Sequence, residues 1–433
     1  MNDHPFDTFL VTEAAPGVKV VSYRTERFKT AQLALHLVLP LRGDVSEYII
    51  LPYLLSRSCA VYPDYLSLNR RLAELYGAEL HPSVSKHGEN LILRLSMTTI
   101  DSRFALSGED ILLECADLLC QVLFAPHLEG GVLAAADVER EKRLRLETLE
   151  SAKNDKRAYA LHRCLTIMCE DEDYRVDTLG TREGLTALTP ETVTEAWKRA
   201  LSTARVQLNV VGSGDVDAIT ARVLSGLSRF PRTDLMTIGT DVVETAKGPV
   251  KRVEEDENVR QGKLVLGYRA GMEAPGDNYA AVRTMVDLFG GGTYSRCFMN
   301  VREKQSLCYY CSARLLGQKG IVYVQSGIED ENAEKAIEEI GKQLQDLADG
   351  HVTEEDLRNS RRSLSDGYRS VSDTPEELDG WAYLQICEPV FHTPEELVEQ
   401  LQSVTPEQVV EAAKRVTLDT IFLLHGTGEG EDE

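Results

Sequence analysis

Few side chains in this 433-residue chain stand at spacings that do chemistry. Two imidazoles a helical turn apart, with a carboxylate, hold a catalytic zinc in the order H-E-x-x-H or H-x-x-E-H. Neither string occurs; His351-Val-Thr-Glu-Glu355 and His392-Thr-Pro-Glu-Glu396 come nearest, with Glu where the second His belongs. Both read as helix entries, the second through the capping box of Thr393 and Glu396 around Pro394. His81 and His87 flank an expected hairpin beside Glu89 and offer a weaker ligand set. Cys308-Tyr-Tyr-Cys311 is formally C-x-x-C. On an expected strand, positions three apart point to opposite faces, which disfavours a shared metal or disulfide. Gly290, Gly291 and Gly292 separate two helices without the Lys-Ser/Thr of a phosphate cradle. They read as a backbone-access loop or a helix C-cap.

Holding such groups in place takes ordered elements, and the chain supplies two similar sets. Residues 189–200 read TPETVTEAWKRA and residues 405–416 read TPEQVVEAAKRV, the second starting 216 residues after the first. Each is a helix start with Thr as N-cap and Pro at the first helical position, and each leads into an apolar strand. Between them the element order repeats. The first set has a strand at 33–39, an apolar stretch at 48–55, a helix at 68–78, and strands at 79–85 and 91–98. A helix at 108–124 and a long helix near 131–169 follow, the latter with i,i+4 pairs Glu139–Arg143 and Glu141–Arg145. The second set has a strand at 263–269, helices at 277–289 and near 295–304, strands at 308–315 and 320–326, and helices at 332–348 and 353–386. Residues 231–258, with Pro231, Gly248, Pro249 and an acidic run, read as a linker, and 428–433 as a frayed tail. The expectation is an α+β fold of two halves, 1–235 and 236–433, each a sheet with helices on one side.

Composition bounds the function. Lys and Arg number 47 against 70 Asp and Glu, a net charge of −23. That balance argues against nucleic-acid binding and against basic anchoring to anionic lipid. No apolar run approaches the length of a membrane span, and the N-terminal residues lack the pattern of a signal peptide. Nine cysteines scattered through apolar segments are typical of reduced core thiols, so a cytoplasmic, acidic protein is expected.

The stretch 286–310, VDLFGGGTYSRCFMNVREKQSLCYY, carries a more specific pattern. It resembles the second-half signature of the pitrilysin/insulinase family, the inverted H-x-x-E-H zinc peptidases that include the mitochondrial processing peptidases. Gly290, Gly291, Gly292, Ser295, Arg296, Phe298, Val301, Arg302, Glu303, Lys304, Leu307 and Tyr309 match it. Cys297, Ser306 and Cys308 stand where Leu, Gly and Ala are usual. With the internal repeat, the resemblance spans nearly the whole chain.

The resemblance implies two homologous α+β halves facing each other across a cavity, with H-x-x-E-H on a helix of the first. The best-matching segment is Tyr53-Leu54-Leu55-Ser56-Arg57, which puts Tyr53 and Arg57 at the His positions and Ser56 at the Glu position. Residues 44–64 hold no His and only one Glu, Glu47. Farther on, Glu141-Lys-Arg-Leu-Arg-Leu-Glu147-Thr148 puts Thr148 at the family's remaining ligand position, with Glu147 adjacent. The implication is a chain without cofactor, its zinc carried by a partner. Arg302 and Tyr309 match the pair of donors that reaches the substrate in active relatives. The expected function is then that of a non-catalytic subunit of a two-chain zinc endopeptidase, inactive alone. It would pair with a homologous H-x-x-E-H chain, or with itself, and hold an extended peptide by strand addition, Gly290 to Gly292 among the contacts. Its acidity would favour basic peptides by long-range steering. A stand-alone structural or peptide-binding protein is the alternative, and a hydrolase using His81, His87 and Glu89 a third.

Overall fold

Both Thr-Pro-Glu segments start helices, Pro190–Thr203 and Pro406–Arg415. Thr189 and Thr405 each accept from the backbone N–H three residues on, and the side chains of Thr192 and Gln408 close the reciprocal bond. Donors that a helix start would otherwise leave orphaned are thereby satisfied, and proline has no N–H to orphan. Each helix hands the chain to a strand whose middle is buried.

The computed structural model describes residues 5–272, 276 and 278–426, so the expected tail at 428–433 lies outside the described residues. Its strands are β1 (Phe9–Ala15), β2 (Val18–Arg24), β3 (Thr30–Pro40), β4 (Glu79–His87), β5 (Asn90–Ile100), β6 (Leu128–Glu129), β7 (Val132–Leu133), β8 (Arg205–Gly212), β9 (Lys251–Glu257), β10 (Gly262–Arg269), β11 (Cys308–Leu316), β12 (Ile321–Ile328) and β13 (Thr417–Gly426). Two mixed sheets result, in the orders β1-β2-β8-β3-β5-β4 and β11-β12-β10-β13-β9, beside the small β6–β7 pair. Each large sheet has one parallel pair, β2 with β8 and β13 with β9; its other pairs are antiparallel. The α+β class expected from the sequence is the one found.

The chain divides into two compact units. The first comprises Met1–Glu150, Val176–Gly239 and Val371–Phe391, the second Ser151–Arg175, Thr240–Ser370 and His392–Glu433. Relative to contiguous halves at 1–235 and 236–433, one crossing falls beside the expected boundary and two segments are exchanged. The helix Lys156–Met168 lies on the second sheet, where Ala160 and Cys164 pack with Val265 and Phe422. The helix Pro375–Leu384 lies on the first sheet, where fully buried Asp379 pairs with Arg94 and accepts from Asn209 Nδ2 at 2.8 Å. On the other face of the first sheet, helices Ile111–Phe124 and Pro190–Thr203 close the main core over Leu33, Leu35, Leu93 and Leu208. In the second unit, helices Tyr279–Gly290, Ala333–Ala348 and Pro406–Arg415 cover Leu264, Leu266 and Val324. Helices on both faces explain why β3 is buried from Ala31 to Leu39 and reads as a nearly continuous apolar run.

Three local expectations are corrected. The long helix near 131–169 is two helices, Ala135–Ser151 and Lys156–Met168, because Asp155 caps the second by accepting from Ala158 N. The expected linker 231–258 contains β9, an edge strand whose alternate residues are exposed. The ion pairs on helix Ala135–Ser151 also differ: Glu139 meets Lys142, Arg143 meets Glu147, and Glu141 turns to Arg57.

Candidate functional site

Pro52 starts a five-residue helix, Leu51–Leu55, whose end presents Ser56 and Arg57. A carboxylate buried without a cation is costly, and Glu141 has one: Arg57 Nη1 stands 3.2 Å from Glu141 Oε1, and the Glu141 side chain is 3% exposed. Burial raises the Glu141 carboxyl above its usual range, with Arg57 and Arg145 opposing the shift. One turn on, the Arg145 guanidinium lies 3.8 Å from the centre of the Tyr53 ring, and Arg57 lies 4.8 Å from that of Tyr65. Ser56 Oγ donates to Tyr53 O at 3.0 Å and Thr148 Oγ1 to Leu144 O at 2.8 Å, so both hydroxyls bond to their own helices. These groups border a cavity of about 540 Å³, whose further wall comes from helix Tyr65–Glu74 and the edge strand β4.

Tyr53, Ser56 and Arg57 thus border one cavity with Glu141 and Arg145, two residues not singled out as site candidates from the sequence. The available signal was spacing: 141, 145 and 148 lie along one face of a helix. A guanidinium among these groups repels a cation, so this donor set does not fit zinc. Among the described residues, no group of three His, Cys, Asp or Glu is placed to hold a metal ion. His81 and His87 lie six residues apart on β4, roughly 20 Å along an extended strand. His81 Nε2 bonds to Glu79 at 3.0 Å, whereas His87 is buried against Tyr383 and its pKa falls to about 4. They do not converge.

In the second unit, Cys297–Lys304 winds as a π-helix, an uncommon form that recurs at functional sites. Arg302, on its last turn, lies 4.7 Å from the centre of the Phe298 ring, with Nε 3.6 Å from Glu303 Oε1. Tyr309 sits in a β-bulge: Cys308 faces Ile328, yet Tyr310 faces the very next residue, Gly327. The extra residue leaves Tyr309 55% exposed, its Oη donating to Glu329. That bond and the nearby negative charge raise the phenol pKa, which keeps the proton on Tyr309. The same bulge corrects the expectation that Cys308 and Cys311 point apart, since both are buried. Hydrogen bonding to Cys311 and burial raise the pKa of Cys308, which disfavours its thiolate.

The glycine run has a packing role at its first member. Gly290 ends helix Tyr279–Gly290, and a Cβ there would stand 2.4 Å from the backbone nitrogen of Ala313 on β11. Gly291 and Gly292 are half-buried against Asp287 and Tyr294.

Comparison with known proteins agrees with these features. A model described as "Peptidase M16 inactive domain" matches residues 187–364. A Bacillus subtilis protein named "Probable inactive metalloprotease YmfF" is 30% identical over 414 residues, covering 95% of this chain and 96% of the relative. A conserved protein from Enterococcus faecalis is similar in structure, with a TM-score of 0.84, 27% identity, and coverage of 98% of this chain and 100% of that one. A peptidase M16 inactive domain from Pseudomonas fluorescens shares the fold at a TM-score of 0.78 and 16% identity, over 98% of this chain and 99% of that one. No helix among the described residues is long and apolar enough to cross a membrane. The chain belongs to the peptidase M16 (pitrilysin) family, as a homologue of its inactive members.

Proposed function

We propose that this chain is the non-catalytic subunit of a two-chain zinc endopeptidase. It binds an extended peptide and lends Arg302 and Tyr309 to the active site of a homologous H-x-x-E-H chain, which carries the zinc. One observation carries the reading: a chain with a rebuilt metal position still displays both donors of the family. Arg302 is at the end of a π-helix and Tyr309 on a bulge, with side chains exposed. Attack on a peptide carbonyl moves negative charge onto its oxygen. A guanidinium and a protonated phenol stabilise that oxygen in the transition state more than in the ground state. Glu329 holds the Tyr309 proton until a substrate oxygen takes its place as acceptor. A homodimer is the other assembly considered, and buried thiols support a reducing, cytoplasmic setting.

The test is reconstitution with an H-x-x-E-H homologue and steady-state kinetics. Arg302→Ala or Tyr309→Phe should lower kcat by about 10²-fold or more, with KM and the melting temperature little changed. Unchanged turnover with a lowered melting temperature refutes the donor role. The second reading, a stand-alone structural or peptide-binding protein, is favoured by the Tyr309–Glu329 bond and the packing of Gly290. Affinity purification from native lysate separates the two, because only the first requires a co-purifying H-x-x-E-H chain.

A further inference from the structure

The cavity of about 540 Å³ lies in the size range of small-ligand sites. Its polar wall is unusual for a protein of net charge −23. Two guanidiniums, Arg57 and Arg145, line it against one buried carboxylate, Glu141. The other lining carboxylate, Glu79, is 67% exposed at the strand end and bonds to His81. Once Arg57 has neutralised Glu141, the Arg145 cation remains, held by the Tyr53 ring and not by a carboxylate contact. The Nε atoms of both arginines are buried away from solvent, so a ligand in the cavity meets their terminal Nη donors, of which Arg57 commits Nη1 to Glu141. Each guanidinium rests over an aromatic ring, which limits its freedom before a planar anion engages the fork.

We propose that this cavity binds a peptide carboxylate, either a free C-terminus or an acidic side chain, between Arg57 and Arg145. A carboxylate presents two oxygens in the geometry a guanidinium fork matches, and it supplies the missing negative charge. The remaining wall suits a peptide. Tyr65 and Leu72 offer apolar surface, and β4, an edge strand, offers backbone groups for an added strand. Where active relatives hold a metal, this chain holds a paired cation that anchors a substrate end. The inference rests on the peptide-binding part of the function proposed above, and is independent of any partner and of Arg302 and Tyr309.

The experiment offers the immobilised full chain a pool of short peptides of randomised sequence, once with free C-terminal carboxylates and once amidated. The retained fraction is read by mass spectrometry. Retention should favour carboxylates by about tenfold or more, as expected for a charge-assisted pair. Preference for the free over the amidated form identifies a C-terminus. Preference for Asp and Glu over Asn and Gln at one position identifies a side chain. Arg145→Gln, which leaves the Arg57–Glu141 pair intact, should abolish the preference, and Arg145→Lys should restore only part of it because the fork is lost. Retention of peptides without carboxylate preference, or a preference unchanged in Arg145→Gln, overturns the carboxylate site and leaves peptide binding standing. Retention of no peptide overturns both.

Discussion

Glu172 is the side chain on which the docking of the exchanged segment Ser151–Arg175 should turn. Its Oε1 lies 2.8 Å from Arg269 Nη2 and its Oε2 2.6 Å from Lys319 Nζ; those cationic side chains are only 3% and 1% exposed. Asp419 completes the cluster at 2.9 Å from Arg269 Nε, giving two positive charges and two negative. Glu172→Gln keeps the shape and removes one charge, leaving two buried cations to one carboxylate. Breaking a buried pair in this way costs about 3–5 kcal/mol. At roughly 2–4 °C per kcal/mol for a folding unit of this size, the melting temperature should drop by about 6–20 °C. Hydrogen exchange should locate the loss in Lys156–Met168 and in β10 and β13, which it covers. The pH dependence has a definite sign. Burial alone would raise the Glu172 pKa, but hydrogen bonds from Lys319 and Arg269 hold it below its ordinary value. Its contribution is therefore present above the unfolded-state pKa and is lost as pH falls through the folded one. Wild type and variant should differ most near neutral pH and converge in acid. A shift smaller than about 2 °C at pH 7, against that worked range, would show that the cluster is solvated and that Glu172 does not hold the segment.

Two further outcomes are open to simple measurement. Gly290→Ala places a methyl group 2.4 Å from the Ala313 nitrogen and should destabilise the second unit by about 1–3 kcal/mol in urea unfolding; an unchanged midpoint would free the glycine run for a role other than packing. Equilibrium dialysis against zinc, followed by elemental analysis, should find no stoichiometric metal. One ion per chain would mean that ligands other than Tyr53, Ser56 and Arg57 converge on a site.

What the sequence disclosed was local. Thr-Pro-Glu caps and alternating apolar runs are set by residues within a few positions, so both repeated helices and β3, β5, β8, β10 and β13 follow from them. Pairing at long range was not legible. β9 reads as an acidic linker because every residue in it but Val253 is charged, half-buried positions included, and its partner β13 lies more than 160 residues away in sequence. The break before Lys156 carries neither Pro nor Gly, only the capping Asp155. The bulge at Tyr309 leaves no trace in a period-two pattern, so the facing of Cys308 and Cys311 was misjudged. In the candidate site, family resemblance pointed to the segment Tyr53 to Arg57, which borders the cavity. That Arg57 would reach Glu141, 84 residues on, was not legible.

That last contact bears on how a metallopeptidase fold survives without its metal. Glu141 lies two turns before Thr148 on the same helical face and is buried, whatever occupies the ligand positions. A carboxylate in that place requires a cation nearby or a raised pKa, and here both are found. Arg57 therefore has a role of its own in the fold. It is covalently supplied charge compensation, independent of metal availability, and it leaves Arg145 free to face the cavity. The same logic predicts that the way back is blocked from the stability side. Arg57→His would exchange a permanent charge for an imidazole that is mostly neutral at pH 7. Glu141 would be left with the more distant Arg145 and Arg140, at a cost of about 3–5 kcal/mol. Tyr53→His would in turn remove the ring on which Arg145 rests. A double variant restoring both imidazoles should thus melt well below the wild type. Zinc should recover stability only if Thr148→Glu is added as well, because by family resemblance that position supplies the carboxylate ligand that completes the pair of imidazoles. Recovery of the wild-type melting temperature by zinc in the double variant alone would refute this account of why the site was rebuilt around arginine.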